Sequence, residues 1–295
     1  MYKREKPLVS IVIPSWFTND QHGKYCQNET YWFAQECLKR LINVTPKNLY
    51  ELIVIDNGST ITGTTQIDDK TIPVAEYWSM ADVLIRNNEN LGFGPACNQG
   101  FSVSRGEYVC CLNNDILVWS NWLDAILATF KLELQPAPGI VMPALMRETK
   151  DAREALNIKT INLDKNKNSY GSKAEFGSLW IAPKWLLNKV AERRGGYYVF
   201  DEEFLCGMGE DRLLYREIRE LGYETYRTHN TRVFHQGNMS IGKIKNRKDF
   251  TVPNREYLKR LTNLERQGQI LTIGQRSELR KRVEEEFSHG NDFTN

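Results

Sequence analysis

The chain predicts an α/β protein, a largely parallel central sheet covered by helices, with a C-terminal helical appendage. Three observations carry this. Short apolar runs rich in Val, Ile and Leu alternate with longer helical patterns over the first 240 residues, which is how a parallel sheet buried on both faces reads. Acidic residues stand where apolar or helical segments meet loops, at Asp56, Asp115 and Glu210-Asp211, and open α/β sheets gather ligands at the carboxyl ends of their strands. Beyond about residue 240 the chain becomes charged and amphipathic.

The elements follow in order. Residues 8–13 form an apolar run halted by Pro14 and read as a buried first strand. A polar stretch over 18–28 precedes a helix expected over 29–43, then a strand over 51–55. Residues 81–86 and 107–112 read as further strands, and 95–104 as the helix between them. Pro95 falls in that helix's first turn, where its missing N–H costs little. A helix over 121–134 and a strand over 139–146 come next. Residues 147–177 are lysine- and asparagine-rich and read as a surface loop or hairpin. A strand over 176–181 and a helix over 184–193 follow. The helix opening at Glu210-Asp211 carries Leu213, Leu214, Ile218 and Leu221 at helical spacing and stops at Gly222. Helices over 254–267 and 275–287 complete the chain, with the boundary between residues 1–240 and 241–295.

Composition excludes some classes of function. With 295 residues, 41% hydrophobic and 26% charged, the chain suits a soluble globular protein with a substantial core. Its formal charge of +2 does not identify a polyanionic partner. No stretch reaches the roughly 18 apolar residues of a membrane span, and the basic start at Met1–Lys6 leads into a strand and a proline rather than a signal core. Neither a transmembrane segment nor a signal peptide is expected. The six cysteines lack paired metal spacing, and Cys110-Cys111 sit inside an apolar strand. A reduced, cytoplasmic setting fits them. Lys243, Lys245, Arg247, Lys248, Arg255, Lys259 and Arg260 make residues 243–260 basic. A solvated helical face is the plainer reading, and contact with an anionic membrane's inner face or another polyanion is the alternative.

Several short motifs bear on chemistry. Asp56-Asn57-Gly58-Ser59 places a carboxylate beside a glycine that lets a ligand approach the backbone; the same four residue types also make an Asx-turn. Asn113-Asn114-Asp115 puts a carboxylate after a buried strand, suited to Mg²⁺ or Mn²⁺, or simply a polar loop. The glycine cluster from Asn90 through Gly92, Phe93 and Asn98 to Gly100 matches neither a Walker loop nor a dinucleotide fingerprint. It permits a tight turn into a helix whose amides would face a ligand, and a plain strand–helix connection is the equal alternative. Asp201-Glu202-Glu203 and Glu210-Asp211 place five carboxylates within eleven residues, and helix-dipole complementarity accounts for the second group alone. His235 is a second ligand if Asp115 holds a metal, and otherwise a structural histidine.

In this order the motifs resemble the family 2 inverting glycosyltransferases with a GT-A fold, Rossmann-like in its sheet, and particularly the bacterial rhamnosyltransferase-like branch. The resemblance spans about residues 7–240. It implies donor binding by Pro14, Ser15, Asp56, Asn57, Asn90, Gly92, Phe93, Asn98, Asn113 and Asn114. It implies a Mn²⁺ or Mg²⁺ site at Asp115 and His235, an acceptor side at Asp201 and Glu202, and catalysis by Asp211 as base with Glu210 assisting. The implied reaction moves a hexosyl or deoxyhexosyl group from a UDP-, dTDP- or GDP-sugar to an acceptor hydroxyl on a glycan or lipid-linked glycan. Phe17 departs from the family's usual asparagine, residues 18–28 look inserted, and Asn113 replaces the first acidic residue of the metal motif. Tyr197-Tyr198-Val199 also looks inserted, near the expected acceptor entrance. A nucleotidyltransferase and a non-catalytic sugar-nucleotide-binding protein are the alternatives, with a nucleic-acid acceptor a further variant.

Overall fold

The computed structural model describes residues 6–18, 27–61, 64–67, 70–146, 149–159, 170–174, 177–196, 198–204, 209–237 and 248–288. Residues 19–26 of the 18–28 stretch that resembles an insertion, Tyr197 and the basic residues Lys243, Lys245 and Arg247 lie outside them.

Strand β1 (Val9–Ser15) leads to helix α1 (Gln27–Val44) and β2 (Tyr50–Asn57). A hairpin of β3 (Thr64–Ile67) and β4 (Lys70–Pro73) precedes α2 (Val74–Ser79) and β5 (Val83–Asn87). Then come α3 (Phe93–Val103), β6 (Tyr108–Leu112), β7 (Ile116–Leu117), α4 (Trp122–Thr129) and β8 (Pro138–Leu145). After α5 (Ala152–Asn157), β9 (Tyr170–Ser172) and β10 (Leu179–Pro183), the chain forms α6 (Lys184–Glu192) and α7 (Glu210–Glu220). It closes with β11 (Glu224–His235), α8 (Lys248–Arg266) and α9 (Ile273–Ser288).

The central sheet runs β5-β2-β1-β6-β10-β8-β11-β7, with β9 pairing β11. Strands β5, β2, β1 and β6 are mutually parallel, and β8 and β11 share their direction; β10, β7 and β9 run against them. The sheet is therefore mostly parallel, as the apolar runs predict. Alternation along β1 and β2 separates two cores. Ile11, Ile13, Leu52 and Val54 face α1, α2 and α4, while Val12, Ile53 and Ile55 face α3, α6 and α7. Every residue of β2 is buried, which accounts for the unbroken apolar run from Leu52 to Ile55, while buried Glu51 is met by Ser10 and Arg105.

Three local expectations are corrected. Pro14 does not end β1, because pairing with β6 stops at Val12 while pairing with β2 continues to Ser15. Pro14 thus has a strand on one side only, where a missing N–H is tolerated. The expected loop after residue 147 contains α5, which Asp151 caps by accepting from the N–H groups of Arg153 and Glu154. Helix α4 ends at Thr129 rather than at 134.

Helices α8 and α9, the expected appendage, pack against α7. Tyr257, Leu261, Leu271, Leu279 and Val283 close around Leu213 and Phe204. Burying an aliphatic side chain of this size stabilises by about 1.5–3 kcal/mol, so this contact carries real weight in the fold. It places α7, with Glu210 and Asp211 at its first turn, between the sheet and the C-terminal helices.

Candidate active site

The β2 end is built around side chains that hold loops. Asp56 is buried, and its Oδ1 accepts from the Ser59 N–H at 3.0 Å. The other carboxylate oxygen lies 3.9 Å from Arg86 Nη1 on β5. One oxygen thus serves the turn, as the Asx reading requires, and the other faces a cation. Asn57 commits its whole amide: Nδ2 donates to Asn90 Oδ1 and Gly92 O, and Oδ1 accepts from Asn87 Nδ2 and the Leu91 N–H. Gly58 stands at φ +76, and a Cβ there would lie 2.3 Å from the Glu89 carbonyl carbon. Together they press the Asn90–Gly92 turn against the strand end. Ser15 Oγ hydrogen-bonds Tyr77 Oη at 2.7 Å. Phe17 is fully buried among Tyr31, Tyr77 and Trp78. Its side chain belongs to the core rather than to an open donor loop.

A second centre lies between β7 and the end of β11, which pair through Ile116 and His235. Asp115 is buried, and its Oδ2 accepts from the Gly237 N–H at 3.1 Å. Its Oδ1 makes no hydrogen bond, yet His235 Nε2 stands 3.2 Å away. On the far side of the imidazole, Nδ1 faces Ser178 Oγ at 3.5 Å. A serine hydroxyl can donate or accept, so the protonation of the ring follows from what Nε2 and Asp115 Oδ1 share. Asn113 and Asn114 are half-buried beside this centre; the Asn113 N–H donates to Ser178 O at 2.8 Å, and Asn113 Oδ1 is buried without a partner. Among the described residues no cluster of three or more His, Cys, Asp or Glu side chains gathers. A buried carboxylate oxygen without a hydrogen bond, beside an imidazole nitrogen, nonetheless fits a divalent cation whose other ligands are phosphate oxygens and water.

The third centre is the first turn of α7. Burial pushes the Glu210 carboxyl from the usual 4.5 up to about 8, and the neighbouring Asp211 charge adds to this. Glu210 Oε2 is buried without a hydrogen bond. Burial therefore favours the protonated form of Glu210. Asp211 is half-buried, sits at the helix N-terminus and has one oxygen so close to Gly177 that a Cβ there would lie 2.7 Å from it. The Gly177-Ser178 pair thus touches two centres, with Gly177 against Asp211 and Ser178 against His235 and Asn113. Neither residue stands out in the sequence, because a glycine and a serine before a strand look like any turn.

Other expected positions have different work. Asn98 is buried on α3; its Oδ1 accepts from the Val199 and Phe200 N–H groups, and its Nδ2 donates to Phe200 O and Glu202 Oε1. No polar capacity remains for a donor. Phe93, half-buried, packs on Phe200 with centroids 5.8 Å apart. Glu202 is half-buried, and burial pushes its pKa up. Asp201 is 3% exposed, and its Oδ2 accepts from Tyr257 Oη at 3.0 Å and Arg276 Nη1 at 2.6 Å. Its carboxylate faces the C-terminal helices, not an acceptor entrance. A groove between α1 and α5, lined by Lys39, Arg40, Trp119 and Asn157, includes none of the three centres.

Comparison with known proteins bears on the chemistry. Residues 26–176, just over half of the chain, match the profile of Glycosyl transferase family 2. Glycosyltransferase GlyG of Streptococcus pneumoniae is 30% identical over 122 residues, which is 40% of this chain and 34% of that protein. Glycosyltransferase AglE of Haloferax volcanii is 30% identical over 128 residues, 42% of this chain and 35% of that protein. The match spans about a third of the length of each of these relatives. Among solved structures, Staphylococcus aureus TarS 1–349 in complex with UDP superposes with TM-score 0.53 at 14% identity, covering 93% of this chain and 70% of that one. GalNAc-T7 with UDP, GalNAc and Mn²⁺ gives TM-score 0.58 at 17% identity, covering 97% and 55%. At these identities the structures establish a shared fold.

Proposed function

Because the chain belongs to Glycosyl transferase family 2, we propose that it moves a sugar from a nucleoside diphosphate donor to an acceptor hydroxyl, with inversion at the anomeric carbon. The observation that carries this reading is the Gly177-Ser178 pair, which touches both Asp211 and the Asp115–His235 centre. That contact supports reading Asp211 as a proton acceptor working beside a cation held at Asp115 and His235.

In this reading Asp56, with Arg86 beside it, binds the nucleotide at the β2 end. Asn57 and Asn90 hold the Asn90–Gly92 turn that borders it. Asp115 and His235 hold Mn²⁺ or Mg²⁺, which when bound offsets the negative charge gathering on the departing diphosphate. The acceptor oxygen attacks the anomeric carbon as the bond from that carbon to the diphosphate breaks, its electron pair leaving with the diphosphate. The acceptor proton passes to the Asp211 carboxylate. A positioned base of this kind contributes about 10²–10⁴-fold to rate. Burial favours the neutral form of Glu210, which limits the charge placed beside Asp211.

UDP is the nucleotide to test first, since the TarS and GalNAc-T7 structures hold it, with dTDP- and GDP-sugars as the other donors. The sugar is a hexose or deoxyhexose, in keeping with the rhamnosyltransferase-like motifs, and the acceptor a glycan or lipid-linked glycan of polysaccharide biosynthesis. No helix among the described residues is long and apolar enough to cross a membrane. A cytoplasmic protein, peripheral at the inner face of a membrane through residues 243–260, is the setting this function requires if the acceptor is lipid-linked. Thermal stabilisation by a panel of nucleotide sugars, with and without Mn²⁺, tests the reading, since a ligand that binds the native state raises apparent stability by mass action. Stabilisation by a donor, followed by release of a nucleoside diphosphate, supports it; release of pyrophosphate, or an intact donor after prolonged incubation with varied acceptors, overturns it.

A further inference from the structure

We infer that Arg276, on the C-terminal helix α9, is a positioning residue for the first turn of α7, so that the C-terminal helices belong to the catalytic apparatus. The inference rests on the role proposed for Asp211. Arg276 is 3% exposed and donates through Nη1 to Asp201 Oδ2 and through Nη2 to Glu265 Oε1. It also lies 4.0 Å from Glu217 on α7 itself. Tyr257 donates to the same Asp201 oxygen from α8.

Asp201 belongs to a segment that is held on every side. Asn98 grips Val199, Phe200 and Glu202 from α3. Arg194 donates to the carbonyls of Tyr198 and Val199 and pairs with Glu217. The Phe204 ring fills the space over Gly209, where a Cβ would lie 2.6 Å from Phe204 Cε1. Gly209, at φ +120, is the residue from which α7 starts, directly before Glu210 and Asp211.

Arg276 therefore reaches Asp211 by two routes. One passes through Asp201 and Phe204 to the Gly209 backbone, and the other through Glu217, two turns along α7. Both routes end on the helix that carries the proton acceptor, and neither passes through Asp56, Asp115 or His235. Loss of Arg276 leaves Asp201 buried with Tyr257 as its side-chain partner, and the segment must shift to solvate the charge. The expected consequence is a displaced Asp211 beside an undisturbed nucleotide site.

The test uses the full chain and the variants Arg276→Gln, Arg276→Lys and Tyr257→Phe. Lysine keeps the charge but cannot serve Asp201 and Glu265 with a planar fork, and phenylalanine removes one hydrogen bond with little change of shape. Turnover is measured on whichever sugar in a UDP-, dTDP- and GDP-sugar panel the wild type cleaves fastest with Mn²⁺. UDP affinity is measured by calorimetry, and amide hydrogen exchange is followed over residues 50–57 and 209–214. For Arg276→Gln, kcat should fall about 10²-fold, as displacement by an ångström can cause, with the UDP Kd within about twofold. Exchange should quicken at 209–214 and not at 50–57, and Arg276→Lys should recover part of kcat. Unchanged exchange at 209–214, or kcat lowered only in step with the folded fraction, overturns the inference. A wild type that neither binds UDP nor cleaves any donor instead overturns the proposed function, while the exchange comparison still decides whether Arg276 orders α7.

Discussion

Arg276 Nη1 and Asp201 Oδ2 meet at 2.6 Å, and both side chains are 3% exposed. The pair joins a loop of the catalytic core to the last helix of the chain. Removing one partner of a buried pair leaves an uncompensated charge, which costs far more than the pair contributes. Asp201→Ala should therefore destabilise the protein by roughly 3–5 kcal/mol, at the lower end because Glu265 still faces Arg276. Denaturant unfolding measures this. A loss no greater than that of a surface substitution would show that the pair does not hold the helices.

Asn98 should behave as a support and not as a donor ligand. Asn98→Ala removes all four of its hydrogen bonds and leaves the Val199 and Phe200 N–H groups without acceptors. Each buried polar group left unsatisfied costs about 1–3 kcal/mol. Unfolding curves should show that loss while UDP affinity changes little. Collapse of UDP affinity in a fully folded Asn98→Ala protein would restore the donor-binding role implied by family resemblance.

These two residues show how much the sequence discloses. Residues 52–55 announce β2 because the part of a strand buried on both faces is mostly apolar. Asp56, Asp115 and Asp211 are legible because each stands at the end of a regular element. What Asn57, Asn98 and Asp201 do is not legible, since their partners are remote: Asn98 bonds a residue 102 positions away, and Asp201 one 75 positions away. An amide or carboxylate in a motif looks the same whether it faces a ligand or a loop. Strand direction was hidden for a similar reason. β10 reads as one more apolar run, yet it lies antiparallel between β6 and β8.

Glu210 gives the protein a pH-dependent stability of definite sign. Its folded pKa of about 8 exceeds the usual 4.5, so the folded state holds the proton more tightly than the unfolded chain. Its contribution is complete below about 4.5, declines as pH rises toward about 8 and is absent above that. Glu210→Gln, which cannot ionise, should be stabilised relative to wild type at pH 8 and little changed at pH 5. Melting temperatures of the two proteins across that range provide the comparison. A constant difference would mean that Glu210 is ionised throughout.

Asp115 and Asp56 should be separable by metal. Asp115→Ala should remove most of the gain in UDP affinity that Mn²⁺ confers and leave metal-free binding near its wild-type level. Asp56→Ala should weaken UDP binding with or without metal. Calorimetric titrations in Mn²⁺ and in chelator distinguish the two patterns, and identical behaviour of both variants would contradict the division of the site.

The most direct measurement is the rate of nucleotide release from the best donor by Asp211→Asn, with UDP affinity determined on the same preparation. Removal of the proton acceptor should lower turnover by about 10²–10⁴-fold, with UDP binding retained. Turnover near the wild-type rate would contradict Asp211 as the base, and with it the mechanism drawn from the three centres.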